Sequence, residues 1–264
     1  MSTSAALGLD NDRSSGQDGV VLFGAVGRDH FGHTLVSIAN QQSAVDTTGV
    51  VVLESAPTAV CMCLSGKEDR AFVSTYGATA AVTFADLDLP LLRFLDLLRE
   101  LRDRGITLSL DTGFDPANQW KDGIHDVIRL MDLFFPNETE AMAISGRGSV
   151  HEALEELTRD NDALVVITTG PQGAIAKRGR QVWTHAAFDV PIKDTTGAGD
   201  CFTGSFLAQY LQDRDVDKSL ALASAAGALA VGREGVPPHP KRAELVSLAG
   251  SHALKALSAA SDCS

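Results

Sequence analysis

Between Asp194 and Phe206 the chain reads DTTGAGDCFTGSF, and good helix formers follow from Phe202 to Leu211. Two glycines and an alanine lie between acidic residues, so a tight turn feeds directly into a helix. The backbone N–H groups of Gly197, Ala198 and Gly199 would then be first-turn donors at the positive end of the helix dipole, with no side chain to block an anion. Asp200 stands one residue beyond. A carboxylate there repels bound phosphate, and its chemical use would be to take a proton from a hydroxyl that attacks phosphorus. A first-turn acid is also favoured by the dipole alone. The stretch by itself leaves both readings open.

Three other stretches could do chemistry. Gly27 to Thr34 matches a Walker A loop in its glycine spacing, but His33 stands where that loop needs lysine. A neutral imidazole does not replace a fixed positive charge on the phosphates, so a P-loop is not expected. In PNETE, Pro136 to Glu140, Asn137 reads as an N-cap followed by helix-start acids. Thr168, Gly170 and Gly173 form a TxGxxG turn after the apolar run 163–169. Lesser signals have simpler readings: Asp115 with Pro116 as a turn former, Asp69 and Arg70 as a solvated hairpin end, and Cys61 and Cys63 as small apolar side chains on one strand face. No second Cys or His pair at zinc spacing accompanies Cys61 and Cys63; with Cys201 in the central helix and Cys263 in the tail, reduced thiols fit a cytoplasmic chain.

These loops need a body to hold them. A chain of 264 residues with 44% hydrophobic content can bury one large α/β core with a minor lobe. A net charge of −12 argues against nucleic acid and anionic membranes as partners. The first 19 residues are polar, with no basic-then-apolar leader. The apolar run Leu220 to Val231 is interrupted by Ser224 and Gly227 and is too short to span a bilayer.

The patterning predicts a short strand Val20 to Phe23, close turns at Gly24, Gly27 and Gly32, and a helix from about His30 to Gln42. A meander of antiparallel strands follows over Val50–Glu54, Ala59–Leu64 and Ala71–Thr75. After Asp86 helix and strand alternate: helix 89–104, strand 106–110, a helix near Lys121, strand 132–135, a helix after Asn137, helix 150–159, then strands 163–169, 174–177 and 182–185. Helices near Val216–Val231 and Lys241–Ala259 close the chain. Ligands bind at the carboxyl ends of strands in parallel sheets, which is where the loops at Asp111, Asn137, Thr169 and Asp194 fall.

GxVGxDxFG at Gly24–Gly32, PNETE, the TxGxxG turn and DTTGAGD, in that order, resemble the ribokinase or PfkB family of small-molecule kinases. Agreement runs from about Val20 to the C-terminal helices. The resemblance implies a three-layer α/β/α doubly wound, mostly parallel sheet with a small β lid. It implies one kinase domain over 1–264, its lid strands inserted at about 50–75, able to pair into a homodimer through the lid.

It also implies transfer of phosphate from ATP to a hydroxyl of a sugar or nucleoside. Asp200 would be the general base and a substrate contact, and Gly197, Ala198 and Gly199 the anion hole. Asn137 and Glu140 would serve Mg²⁺ and nucleotide, and Thr168, Gly170 and Gly173 would border the nucleotide. Asp194 and Thr196 would hold K⁺ together with the loop Ala230 to Gly235, and Asp111 and Trp120 would lie beside the acceptor.

The family's first strand, its substrate-gripping aspartate and the following glycine pair and asparagine have no counterpart here. That departure puts a catalytically impaired nucleotide-binding or regulatory protein beside the active kinase as an alternative.

Overall fold

The computed structural model describes residues 20–22, 24–41, 45–65, 70–75, 77–78, 91–112, 120, 123–233 and 240–250. They fall into two compact units, Gly8–Leu92 and a larger one from Arg93 onward. The lead-in, the turn at 66–69 with Asp69, the loop around Asp115 and Pro116, Gly235 and Cys263 lie outside the described residues, as do the side chains of Cys61, Cys63 and Arg70.

In the smaller unit, β1 (Val20–Val21) pairs in parallel with β3 (Val45–Asp46), and β2 (Gly24–Gly27) with β4 (Val50–Leu53). Helix α1, His30–Gln41, follows β2. β5 (Val60–Ser65) and β6 (Arg70–Thr75) form an antiparallel hairpin. Two expectations are thereby corrected. The predicted meander holds for β5 and β6 alone, since β4 runs parallel to β2. Gly24–Gly27 is a strand rather than a run of turns. Glycine serves close backbone approach there: a Cβ on Gly27 would lie 2.6 Å from the Ala56 carbonyl oxygen and the Thr58 nitrogen.

One carboxylate ties this crossing together. Asp29 accepts from the Gly32 N–H at 2.8 Å, the Thr58 N–H at 2.7 Å and the Thr58 hydroxyl at 2.7 Å, while Thr58 Oγ1 accepts from the Gly27 N–H at 2.9 Å. The Thr58 hydroxyl and amide and the Gly32 amide hold the Asp29 carboxyl down at about 2.

In the larger unit, α2 (Leu91–Asp103) precedes β7 (Ser109–Asp111), and α3 (Ile124–Ile128) precedes β8 (Leu133–Phe135). α4 (Glu138–Ser145) and α5 (Val150–Leu157) lead to β9 (Leu164–Thr168), β10 (Ala174–Arg178) and β11 (Gln181–His185). α6 (Ala198–Asp213) and α7 (Val216–Val231) follow, and residues 242–250 form a further helix, α8.

The strand order is β11-β10-β9-β8-β7; β7, β8 and β9 are parallel, and β10 and β11 turn back antiparallel. Alternation along the central strands explains the layering. Leu133, Phe135, Leu164 and Val166 pack on α6 and α7, whereas Phe134, Val165 and Ile167 pack on α4 and α5. The larger unit is therefore α/β/α in three layers. The strand expected at 106–110 begins three residues later, because the Ile106 N–H still bonds to the Leu101 carbonyl and closes α2.

The Asp29 knot makes a pH prediction. Its carboxyl is depressed in the folded chain, so its stabilisation is complete above the ordinary value of 3.8 and disappears as pH falls through about 2. Asp29→Asn removes that component: hydrogen exchange at Gly27, Gly32 and Thr58 should be faster than wild type at neutral pH and converge with it in acid. Equal exchange at every pH counts against the knot.

Candidate active site

Four loops reach the carboxyl-end edge of the parallel strands, and all belong to the larger unit. Asp111 ends β7. Asn137 follows β8 and bridges in parallel to Thr168 at the end of β9. Its side chain accepts from the Glu140 N–H at 2.9 Å, and Glu140 Oε2 accepts from the Asn137 N–H at 2.9 Å, a closed capping box at the start of α4. The same Oε2 accepts from the Thr112 hydroxyl at 2.9 Å, which ties β7 to α4.

After Thr168 the chain makes a single 3₁₀ turn, Gly170–Gln172, with φ of 57° at Gly170 and 102° at Gly173. Gly173 is a packing necessity: a Cβ there would lie 2.0 Å from the His185 carbonyl oxygen.

The GAGD stretch opens a helix, as its glycines and acid suggest. Gly197, at φ 74°, is the N-cap of α6, so Ala198, Gly199 and Asp200 form its first turn. At Ala198 and Gly199 the helix provides no carbonyl four residues back for the N–H groups. Ala198 N–H turns weakly to the Thr195 carbonyl at 3.3 Å, and Gly199 opens onto free space. Ahead of the turn, Asp194 Oδ1 accepts from the Thr196 N–H at 2.9 Å, while the Lys193 and Asp194 N–H groups both bond to the Val231 carbonyl. The loop is thus pinned to the end of α7.

A cavity of about 440 Å³ joins these parts, lined by Thr168, Gly170 and Gly173 on one side and Ala198 and Gly199 on the other. Phe188, Val190, Ile192 and Val231 supply apolar wall. Two hydroxyls on this cavity, Thr195 Oγ1 and Ser224 Oγ, are buried with no hydrogen-bond partner among the described residues. Such groups are costly unless a ligand or water satisfies them.

Asp111, Glu140 and Asp200 form the acidic side of the site. Reduced hydration pushes the Asp111 carboxyl up to about 6 even though the residue keeps a face open to solvent. The Thr203 hydroxyl, donating to Oδ2 at 2.8 Å, pulls it back, and the charges of Asp200 and Glu140 add to the rise. Burial, and then the Asp200 charge, raise the neighbouring Cys201 thiol.

No group of three His, Cys, Asp or Glu side chains able to hold a metal occurs among the described residues. A divalent ion would be held by Glu140 with water and phosphate oxygens, the habit of a cation that dehydrates reluctantly. Trp120, grouped with Asp111 on sequence, lines a different cavity of about 290 Å³ with His125 and Arg129. Sequence reasoning does not single out Thr112, Thr203 or Ser224 as site residues. Ser224 alone leaves a trace, as a polar break in an apolar run.

Comparison with known proteins shows the family and the fold. The family model for pfkB family carbohydrate kinases matches residues 95–242. The ATP-dependent ribose-1-phosphate kinase of Halopiger xanaduensis is 30% identical over 236 residues, covering 83% of this chain and 76% of that one. A ribokinase II from E. coli, solved with ATP and Mg²⁺, superposes with a TM-score of 0.76 at 23% identity over 89% of this chain and 84% of that chain. Arabidopsis thaliana ribokinase, solved with ribose and ATP, gives a TM-score of 0.73 at 21% identity over 88% and 82%. The chain belongs to the pfkB family and is a carbohydrate kinase of ribokinase type. No described helix is long and apolar enough to cross a membrane.

The cavity makes its own prediction. Gly173→Ala forces a side chain into the His185 carbonyl at a backbone angle L-residues rarely adopt, so it should cost about 2–4 kcal/mol. A urea midpoint unchanged from wild type would show that β10 can shift to make room.

Proposed function

We propose that this chain transfers the terminal phosphoryl group of ATP to a hydroxyl of a sugar, with Asp200 as the base. One observation carries the reading: the 440 Å³ cavity leads from the Thr168–Gly173 turn to the mouth of α6, where the first-turn amides and Asp200 lie together.

The apolar wall and the unpartnered Thr195 and Ser224 hydroxyls suit a nucleotide's base and ribose. Gly197, Ala198 and Gly199 present backbone donors and the dipole to the transferring phosphoryl group, whose charge spreads over its equatorial oxygens. Asp200, fixed in the first helical turn, removes the acceptor's proton, a contribution of roughly 10²–10⁴ in rate. Asp111 accepts a hydrogen bond from another acceptor hydroxyl. Glu140 Oε1, left over by the capping box, and Asn137 hold the hydration shell of Mg²⁺, which when bound neutralises charge on the phosphates. Asp194 and Thr196, on the loop pinned to Val231, hold K⁺ behind the anion hole.

The relatives narrow the acceptor. Ribose 1-phosphate is the first candidate, from the name of the 30% identical relative, followed by ribose, fructose and cytidine from other relatives' names.

ADP release measured over those acceptors tests the reading. Asp200→Asn should lower turnover roughly 10³-fold while ATP affinity, by calorimetry, changes less than about threefold. Turnover equal to wild type removes Asp200 as base. Separately, Glu140→Gln should raise the Mg²⁺ concentration for half-maximal rate about tenfold, and a superimposable Mg²⁺ titration would take Glu140 out of cation binding.

A further inference from the structure

Helix α6 carries a second polar group on the face that bears Asp200. Thr203 lies three residues on, which places the two side chains one turn apart on neighbouring positions of the helix surface. Its neighbours Cys201, Phe202 and Phe206 are buried apolar residues, and Thr203 is itself buried. A valine would fill the same space without a polar atom. The hydroxyl nevertheless has a defined partner, for it donates at 2.8 Å to Oδ2 of Asp111, a residue 92 positions earlier in the chain and at the end of a different element.

We propose that Thr203 is a positioning residue for phosphoryl transfer, its hydroxyl holding the Asp111 carboxylate toward the acceptor alcohol alongside Asp200. This rests on the kinase reading above and adds to it a group that touches neither nucleotide nor acceptor.

Three facts carry the proposal. Asp111 faces the carboxylates of Asp200 on α6 and Glu140 on α4, and like charges drive a free carboxylate to turn away or take up a proton. A single hydrogen-bond donor on α6 opposes both responses. Because it uses Oδ2, it leaves Oδ1 for a substrate hydroxyl on the open side of the residue. Finally, Thr112 holds Glu140 from the position next to Asp111, so adjacent residues tie α4 and α6 to one strand end. A change in Thr203 therefore acts on Asp111's orientation, and through it on acceptor binding, without touching the amides that face the phosphate.

The experiment compares Thr203→Val, which keeps shape and removes the hydroxyl, with Thr203→Ser, which keeps the hydroxyl. Kinetics use ATP and the acceptor turned over fastest among ribose 1-phosphate, ribose, fructose and cytidine. Thr203→Val should raise the KM for the acceptor about tenfold with the KM for ATP unchanged, and Thr203→Ser should stay within about twofold of wild type on both. In parallel, carboxyl ¹³C NMR of the protein alone, with Asp111 assigned through Asp111→Asn, follows the same contact without any substrate. The Asp111 signal should titrate near 6 in wild type and Thr203→Ser, and higher in Thr203→Val.

An unchanged titration in Thr203→Val overturns the proposal whatever the substrate is, and so does equal loss in both variants or a rise confined to the KM for ATP. Failure of the kinase reading looks different: none of the four acceptors is turned over, or Asp200→Asn is fully active, while the NMR result stands on its own.

Discussion

The direction of α6 is set by its buried face, and the chemistry at its N-terminus follows from that direction. Phe206 is completely buried; it meets the Phe135 ring edge-on at 5.3 Å between centroids and stacks on Tyr210 at 5.7 Å. These contacts clamp the helix to β8 and β9 through the same cluster that seats α7. A helix so fixed cannot swing its first turn away from the cavity. The amides of that turn are pre-aimed, which is the condition under which backbone dipoles stabilise developing charge without reorganising. Gly197 contributes the other half by ending the preceding loop in the left-handed region, at φ 74°, where a side chain would strain the backbone.

How much of this the sequence disclosed depends on the range of the interaction that decides each feature. α7 is recovered at its limits, Val216–Val231, because Asp215 caps it locally, accepting from the Lys218 N–H at 3.0 Å, and an apolar run follows. β9 is legible for a similar reason, since four consecutive apolar residues have no alternative to full burial. The turn at Gly197–Asp200 could be read because its determinants are local: glycines, a dipole and an acid lie within one stretch. The capping box of Asn137 and Glu140 is also a short-range object. Its engagement by Thr112 is not, because nothing near Thr112 announces a partner 28 residues away.

The misreadings have the same origin. Glycine at 24 and 27 suggests turns when only dihedral freedom is considered. In the fold Gly27 lies against the backbone of 56–58, so the absent side chain matters for proximity. The parallel pairing of β2 with β4 was hidden as well, because strand direction is a property of partners and not of the strand's own residues. The polar break at Ser224 was visible but ambiguous: a serine in an apolar helix marks a solvent face as readily as a cavity, and the burial of its hydroxyl on the cavity wall decides between them.

Three carboxylates near the first turn of α6 repel one another unless the charges are held apart in direction. For Asp111 and Glu140 neutral donors set that direction. Glu140 is turned by an amide and a hydroxyl, Asp111 by a buried hydroxyl, and Asp200 lies in the turn whose dipole favours its charge. Lysine or arginine in place of these hydroxyls would pair with the carboxylates and lower their capacity to take a proton. On the proposed reading, such donors leave negative charge on the acceptor side, where a proton would be drawn off a hydroxyl, and leave the amides as the attraction on the phosphoryl side. The proposed division of the site into an acid-lined half and an amide-lined half thus rests on backbone and hydroxyl groups that orient charge without cancelling it.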